Sequence, residues 1–187
     1  MSFFLVFANP NACYIMIEII ILKTMQNKKQ LFNFLDSLNI EYKVFDHPPV
    51  YTVDEAAHLA NHVPGAACKN LFLKDSKKRL WLIVACADTK IELKKLSKEL
   101  AAPELRFASP ELLIAHLGVL PGSVTPFGLI NNNAHDITIV FDSNLQKHTF
   151  VGFHPLENNA TVVLHPNDLL KFIEAHGNPI VFVNIAN

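Results

Sequence analysis

Short strands and short helices are mixed along most of this 187-residue chain, and this mixture limits its possible folds more than any other feature. Apolar segments at residues 68–74 and 80–87 flank a charged turn and predict a β-hairpin. Further strands are predicted at residues 42–46, 137–141, 149–153, 161–164 and 180–183. Helices are predicted at residues 28–38, 52–60, 91–100, 109–118 and 167–175. Because no regular βαβ order links these elements, we expect an α+β (mixed α/β) single domain with a mixed central β-sheet flanked by helices.

The composition excludes two broad classes of protein. Half of the residues are hydrophobic and 18% are charged, so the chain can bury a core and is not intrinsically disordered. The formal net charge of −1 gives no positive field over the whole molecule. We therefore expect no DNA partner and no general nucleic-acid coat, although a local basic patch remains open.

Residues 1–24 form an apolar extension that differs from the predicted domain at residues 25–187. No basic region or small-residue cleavage site suggests a signal peptide. Asn9, Pro10 and Glu18 interrupt the apolar run, which argues against a membrane partner or span. We interpret the extension as an added β-rich strand, or as the result of a wrongly chosen start with Met25 as the working start.

Cysteine and histidine spacing predicts neither a disulfide framework nor a metal site. The cysteines are Cys13, Cys68 and Cys86, an odd number without metal-ligand spacing, which indicates free thiols and a cytoplasmic location. His58 and His62 are four residues apart, but Leu59 stands where a metalloprotease helix has its glutamate. We therefore expect no metal and no cofactor.

Lys69 is an unusual residue because it lies inside the apolar segment at residues 68–74. Neighbouring residues of a strand point to opposite faces, so Lys69 alternates away from Cys68 and Asn70. Such a lysine either extends to solvent or provides a fixed positive charge at a site. The residue pattern alone leaves both interpretations open.

Two clusters of basic residues are candidates for nucleic-acid contact. One cluster recurs at helical spacing (Lys90, Lys94 and Lys98), and the other lies in the hairpin turn (Lys77, Lys78 and Arg79). Each is either a solvated face or a contact for a phosphate backbone, and the second would give salt-dependent binding.

Three ordered motifs resemble one protein family. They are the segment at residues 69–75 (KNLFLKD), the segment at residues 118–129 (GVLPGSVTPFGL) and the segment at residues 153–158 (FHPLEN). Together they resemble the YbaK-like aminoacyl-tRNA deacylases, which are related to the editing insertion domain of bacterial prolyl-tRNA synthetase. The loop sequence Gly-Ser-Val-Thr-Pro-Phe-Gly is most similar to the prolyl-tRNA editing branch, called ProXp-ala or PrdX.

The resemblance implies roles for individual residues. It makes Lys69 the catalytic residue, and it implies hydrolysis of an aminoacyl ester without a metal. The implied substrate-binding residues are Asn70, Gly122, Ser123, Val124, Thr125, Pro126 and His154. By similar position, Val53 and Ala56 are expected to line the amino-acid pocket. The basic residues of both clusters are then expected to bind the acceptor end of tRNA.

The expected activity is trans-editing, in which Ala-tRNA(Pro) is deacylated by water. A synthetase built for proline cannot strongly reject the smaller alanine, so a second, smaller site corrects the error. The expected partners are the acceptor end of tRNA(Pro) and prolyl-tRNA synthetase. Two alternatives remain open: deacylation of another amino acid, for example from Cys-tRNA(Pro), and a non-catalytic module that binds tRNA or a synthetase.

Overall fold

The centre of the molecule is one mixed β-sheet. The structure is a computed structural model that describes residues 25–49 and 62–185. In these residues the strands are β1 (Tyr42–Asp46), β2 (Ala66–Lys74), β3 (Leu80–Cys86), β4 (Arg106–Phe107), β5 (Ile137–Asp142), β6 (Val151–Phe153), β7 (Ala160–Leu164) and β8 (Ile180–Val183). Their order across the sheet is β1-β7-β6-β2-β3-β5-β8, and β4 pairs with β2. The predicted mixed sheet is therefore confirmed.

Helices cover both faces of this sheet. They are α1 (Lys28–Ser37), α2 (Leu93–Glu99), α3 (Pro110–Leu117) and α4 (Pro166–His176), with 3₁₀ helices at Pro126–Asn131 and Ser143–Lys147. The larger core contains buried residues of α1, α3, α4 and the first 3₁₀ helix. The smaller core contains Leu96 of α2 on the other face. No described helix has both the length and the apolar sequence needed to cross a membrane.

Strand β3 separates the two cores, because every one of its residues is buried. Its side chains alternate: Leu82 and Val84 belong to the larger core, whereas Trp81 and Ile83 belong to the smaller one. The predicted hairpin is confirmed, since β2 and β3 pair antiparallel from Cys68 opposite Cys86 to Lys74 opposite Leu80.

Several local predictions differ from the structure. The loop sequence Gly-Ser-Val-Thr-Pro-Phe-Gly lies outside every predicted helix, but a 3₁₀ helix begins within it at Pro126. Its start is stabilised by Thr125, whose hydroxyl accepts a hydrogen bond from the Phe127 amide. Ser109, the first residue of the helix predicted at residues 109–118, stands at the N-cap position of α3, yet its side chain makes no capping hydrogen bond. The predicted capped helix at residues 52–60 and the extension at residues 1–24 lie outside the described residues.

Candidate active site

A break in strand pairing along β2 forms the centre of the candidate site. On one edge, β2 pairs in parallel with β6 only at Ala66 and Ala67. Farther along the same strand, β4 pairs at Leu73 and Lys74. Among the described strands, none pairs with β2 on this edge in the interval between these contacts, which contains Lys69 and Asn70. A sheet edge without a partner strand leaves backbone polar groups available to a ligand.

Asn70 connects this open edge to the glycine–proline loop. Its side-chain Nδ2 donates a hydrogen bond to the Val124 carbonyl oxygen at 3.0 Å. Its Oδ1 atom is buried and has no hydrogen-bond partner among residues 25–49 and 62–185. A buried acceptor without a partner costs about 1–3 kcal/mol, so a bound molecule that supplies a donor would recover this energy.

A small cleft of about 200 Å³ lies beside Asn70. The loop contributes Gly122 and Val124, and β4 contributes the exposed Phe107. The remaining described lining residues are Leu71, Phe72, Ala108, Pro110, Leu113 and Pro121. Among these lining residues Asn70 is the only one with a polar side chain, so the cleft fits a small and mostly apolar group.

Gly122 shapes the loop through its backbone rather than through lack of space. Its φ of +90° is one that residues with a Cβ rarely adopt, and a Cβ placed there would have no heavy atom of the described residues within 4 Å. Ser123 donates its amide hydrogen to the Leu120 carbonyl. It lines a neighbouring cleft that includes Leu156 and Glu157, and is not in the set that lines the cleft beside Asn70.

Thr125 and Pro126 are buried and hold the loop in position. The Thr125 side chain has no exposed surface, and its hydroxyl accepts the hydrogen bond that starts the 3₁₀ helix. Pro126 occupies the first turn of that helix, where its missing amide hydrogen costs nothing. The structure thus brings Asn70, Gly122 and Val124 together, while Thr125 and Pro126 hold the loop in position.

Lys69 lies at the same break but directs its side chain elsewhere. Its ammonium donates to the Ala87 carbonyl oxygen at 2.8 Å, just beyond the end of β3. The Lys69 and Asn70 side chains lie on opposite faces of β2, because side chains alternate along a strand. Lys69 is half-buried and is not in the described lining of the Asn70 cleft.

His154 follows the last residue of β6, where the pairing between β2 and β6 has ended. If the parallel register of Ala67 with Gly152 continued for two residues, it would bring Lys69 opposite His154. The His154 Nδ1 atom lies 3.0 Å from the Ala160 carbonyl oxygen, which can only accept. Nδ1 therefore carries the proton in the neutral ring, and Nε2 is the acceptor.

His47 is a site residue that the motifs did not indicate. Its ring lies 6.0 Å from that of His154. Its Nδ1 contacts the Pro48 carbonyl oxygen at 2.8 Å, and its Nε2 contacts the Thr161 hydroxyl at 3.0 Å. The sequence signal was the His–Pro pair that His47 shares with His154, because a proline after a histidine restricts the backbone of that histidine.

The basic cluster in the hairpin turn is far from the break in pairing. Lys74 is four positions along the strand from Asn70, a distance of about 13 Å, and the turn lies beyond Lys74. Lys77 and Lys78 are exposed there. Arg79 has a structural role, since its Nε bonds Asp75 at 2.7 Å and its guanidinium donates to the Ala101 carbonyl at 2.7 Å.

The electrostatics of Asp75 explain why Arg79 is held in place. Burial alone would raise the pKa of Asp75, but hydrogen bonds from the Arg79 side chain and backbone, together with the Arg79 charge, leave that pKa below its ordinary value. The Arg79 guanidinium also lies 5.2 Å from the centre of the Trp81 ring, within cation–π range.

One residue of the second basic cluster, Lys90, lies nearer to Lys69. Lys90 follows β3 by a few residues, on the same side as the Ala87 carbonyl that Lys69 contacts. Lys94 and Lys98 are exposed on α2. Helix α2 then leads back toward the hairpin turn, because Ala101, two residues after its end, accepts a hydrogen bond from Arg79. Of the two clusters, only Lys90 is therefore placed at the end of β3 near Lys69.

Two expected substrate-binding residues, Val53 and Ala56, lie outside the described residues. Among residues 25–49 and 62–185, no group of three or more His, Cys, Asp or Glu side chains is arranged to hold a metal ion.

Comparisons with known proteins identify the family. Residues 47–172 match the family model described as an aminoacyl-tRNA editing domain. The chain is 40% identical over 155 residues to the prolyl-tRNA editing protein ProX of Acetoanaerobium sticklandii, covering 82% of this chain and 94% of that protein. It is 42% identical over 149 residues to prolyl-tRNA synthetase associated domain-containing protein 1 of Danio rerio, covering 79% of this chain and 81% of that protein.

Solved structures support the same fold. One, described as a proposed trans-editing enzyme for prolyl-tRNA synthetase, aligns with a TM-score of 0.65 at 22% identity, covering 83% of this chain and 94% of that one. The resemblance predicted from the three motifs is confirmed, and so is the predicted class of enzyme, an aminoacyl-tRNA deacylase. The family match at residues 47–172 includes strand β2 with its unpaired edge and the glycine–proline loop. The chain therefore belongs to the aminoacyl-tRNA editing domain family.

Proposed function

We propose that this chain is a trans-editing hydrolase that removes alanine from mischarged tRNA(Pro). The observation that carries the proposal is the small apolar cleft beside Asn70, because its one polar side chain offers an unpartnered acceptor at the open edge of β2. The family match and the similarity to a prolyl-tRNA editing protein support tRNA(Pro) as the RNA.

The chemistry requires little from the protein, because an aminoacyl ester is already activated. Orienting a water molecule and stabilising the developing oxyanion are sufficient for hydrolysis. In our proposal Oδ1 of Asn70 accepts a hydrogen bond from the substrate α-ammonium, which gives the acceptor its missing partner. The loop at Gly122 approaches the ester closely, since glycine has no side chain between its backbone and the substrate.

Lys69 and His154 would act on the nucleotide side of the ester. The Lys69 ammonium contacts a neutral carbonyl rather than a carboxylate, so it retains an uncompensated charge for the terminal phosphate or the oxyanion. Nε2 of His154 is an acceptor that can orient a ribose hydroxyl or the attacking water. Ser123, Thr125 and Pro126 would contribute by holding the loop that presents Gly122 and Val124.

Selection of alanine would depend on size. The described residues give the cleft a volume of about 200 Å³. Proline has additional methylenes, and exclusion of a larger residue by a close-fitting site is the second step of a double sieve. Val53 and Ala56 are proposed to complete the walls of this pocket.

Binding of the acceptor stem is proposed for the cluster of Lys90, Lys94 and Lys98. Of these residues Lys90 lies on the Lys69 side of the hairpin, whereas Lys77, Lys78 and Arg79 lie at its opposite end. The chain has a net charge of −1, so the contact would be local, transient and salt-dependent. Prolyl-tRNA synthetase is a proposed partner because the substrate is its mischarged product.

The test is a panel of mischarged tRNA(Pro) species treated with the wild-type chain and with Lys69→Ala. Lys77→Ala is the matched control, because it removes one ammonium from the same hairpin at its far end. We expect fastest deacylation of Ala-tRNA(Pro), a large loss with Lys69→Ala, and little change with Lys77→Ala. Faster hydrolysis of Cys-tRNA(Pro) would favour the alternative amino acid, and equal rates for wild type and Lys69→Ala would refute the role of Lys69.

A further inference from the structure

Cys68 and Cys86 are directly opposite each other on β2 and β3. The Ala87 amide donates to the Ala67 carbonyl at 2.8 Å, so the neighbouring pair, Ala67 and Ala87, is a hydrogen-bonded pair. Hydrogen-bonded and non-hydrogen-bonded pairs alternate in antiparallel strands, which makes Cys68 and Cys86 a non-hydrogen-bonded pair. The Cα atoms of such pairs are about 4.5 Å apart, within the range of roughly 4.4–6.8 Å that disulfides span.

Both thiols also point toward the same core. Cys86 is one of the buried residues of the larger core, and Cys68 packs against that core from the neighbouring strand. Both cysteines are reduced in this structure. A disulfide here would need a change of side-chain rotamer and only a small backbone movement.

A cavity of about 440 Å³ provides access to one of the two thiols. It is lined by Cys86, Asp88, Thr89, Lys90, Asn144, Lys147 and His148. The exposed His148 brings its Nε2 atom to 3.4 Å from the Cys86 sulfur. Cys68 is not in the described lining of this cavity, and its thiol donates weakly to the Ala66 carbonyl at 3.4 Å.

We infer that Cys86 is a site of reversible oxidation by hydrogen peroxide that ends in a disulfide with Cys68. In the first step His148 accepts the thiol proton and the Cys86 sulfur attacks a peroxide oxygen. The O–O bond breaks, one water leaves, and Cys86 becomes a sulfenic acid. In the second step the Cys68 sulfur attacks the Cys86 sulfur, the S–O bond breaks, and a second water leaves. Two thiols thus supply the two electrons and two protons that reduce one peroxide to two waters.

The charges around Cys86 explain why a base is needed. Burial raises the pKa of the Cys86 thiol, and the carboxylates of Asp142 and Asp88 raise it further, while Lys69 lowers it. Burial likewise raises the pKa of Cys68 to about 12. Lys90 and Lys147 also line the cavity and favour a developing negative charge on sulfur. Oxidation is therefore expected to be slow at neutral pH and faster as the pH rises.

The experiment uses the full chain with Cys13→Ser, so that the thiol count reports on the pair alone. The folded protein is treated with hydrogen peroxide, the remaining thiols are alkylated, and the intact mass and peptide map are measured. We expect the loss of both alkylation sites, a mass lower by two hydrogen atoms, a Cys68–Cys86 linked peptide, and full recovery with dithiothreitol. A chain without Cys13→Ser is treated in parallel.

Single variants separate the two steps. In Cys68→Ser we expect Cys86 to stop at a sulfenic acid that dimedone traps, and in Cys86→Ser we expect Cys68 to stay reduced at the same peroxide dose. His148→Gln should slow the loss of thiols several-fold without changing the linked product. Circular dichroism checks that each variant is folded. Retention of both thiols at a dose that oxidises glutathione, or equal reactivity of Cys68 and Cys86 in the single variants, would overturn the inference.

Discussion

Replacing Asn70 by alanine should separate stability from activity. The substitution removes one hydrogen bond, from Nδ2 to the Val124 carbonyl, which is worth about 0.5–1.5 kcal/mol. It also removes the buried Oδ1 acceptor, whose missing partner costs about 1–3 kcal/mol. These terms oppose each other, so we expect the free energy of unfolding to stay within about 1 kcal/mol of the wild type or to rise.

Deacylation should fall although the fold is retained. A hydrogen bond to a charged donor such as an α-ammonium is worth about 1.5–3 kcal/mol, which corresponds to roughly a 10- to 150-fold loss in kcat/KM. The assays are urea unfolding followed by fluorescence of the single tryptophan, Trp81, and release of alanine from Ala-tRNA(Pro).

The matched control is Asn178→Ala, at a buried asparagine whose hydrogen bonds are satisfied. Its Nδ2 donates to Asn132 Oδ1 and to the Ile137 carbonyl, each at 3.0 Å, and its Oδ1 lies 2.7 Å from His176 Nδ1. This variant should lose about 1–3 kcal/mol of stability and keep its kcat/KM at temperatures where it is folded. If Asn70→Ala lost as much stability as Asn178→Ala, or kept wild-type kcat/KM, the reasoning about the unpartnered acceptor would be wrong.

The remaining predictions concern the loop, the hairpin turn and the basic clusters. Gly122→Ala should cost about 1–2 kcal/mol of unfolding free energy because of its φ of +90°, and it should reduce deacylation; Gly122→Asn, which tolerates this conformation, should lose less stability than Gly122→Ala, and equal losses of stability would refute the backbone argument. Arg79→Ala should cost about 1–2 kcal/mol by leaving Asp75 without its partner, with unchanged kcat/KM. Because the folded-state pKa of Asp75 is lowered, the stability lost in Arg79→Ala should have its full size above the ordinary carboxyl pKa of about 4 and should shrink as the pH falls below that value. Chemical unfolding of both proteins from pH 3 to pH 7 measures this loss, and a loss that grows in acid would contradict the linkage. Lys90→Ala should raise KM and weaken the salt dependence of tRNA binding, whereas Lys77→Ala should change neither, and the reverse pattern would assign the acceptor stem to the hairpin turn.

Much of the secondary structure followed from local sequence. The hairpin was recognisable because two apolar segments flank a charged turn, and α4 was recognisable from apolar residues at helical spacing followed by Gly177, whose φ is +90°. The 3₁₀ helix at Pro126 was missed, because its hydrogen bonds begin from the Thr125 hydroxyl inside a segment with many Gly and Pro residues. The short β4 was missed as well, since a strand of two residues has no periodicity to detect.

The sequence by itself determined the family and the identity of the motif residues, because these depend on the order of residue types along the chain. Alternation along a strand was also enough to separate Lys69 from Asn70. Only the tertiary structure decided which loop atom Asn70 would contact and that the pairing of β2 with β6 would end before Lys69. It also decided that Asn70 Oδ1 would have no partner within the described part of the chain. It also brought His47 near His154 and Cys86 opposite Cys68. The physical reason is that strand register and sheet order arise from packing between distant segments, which no local pattern encodes.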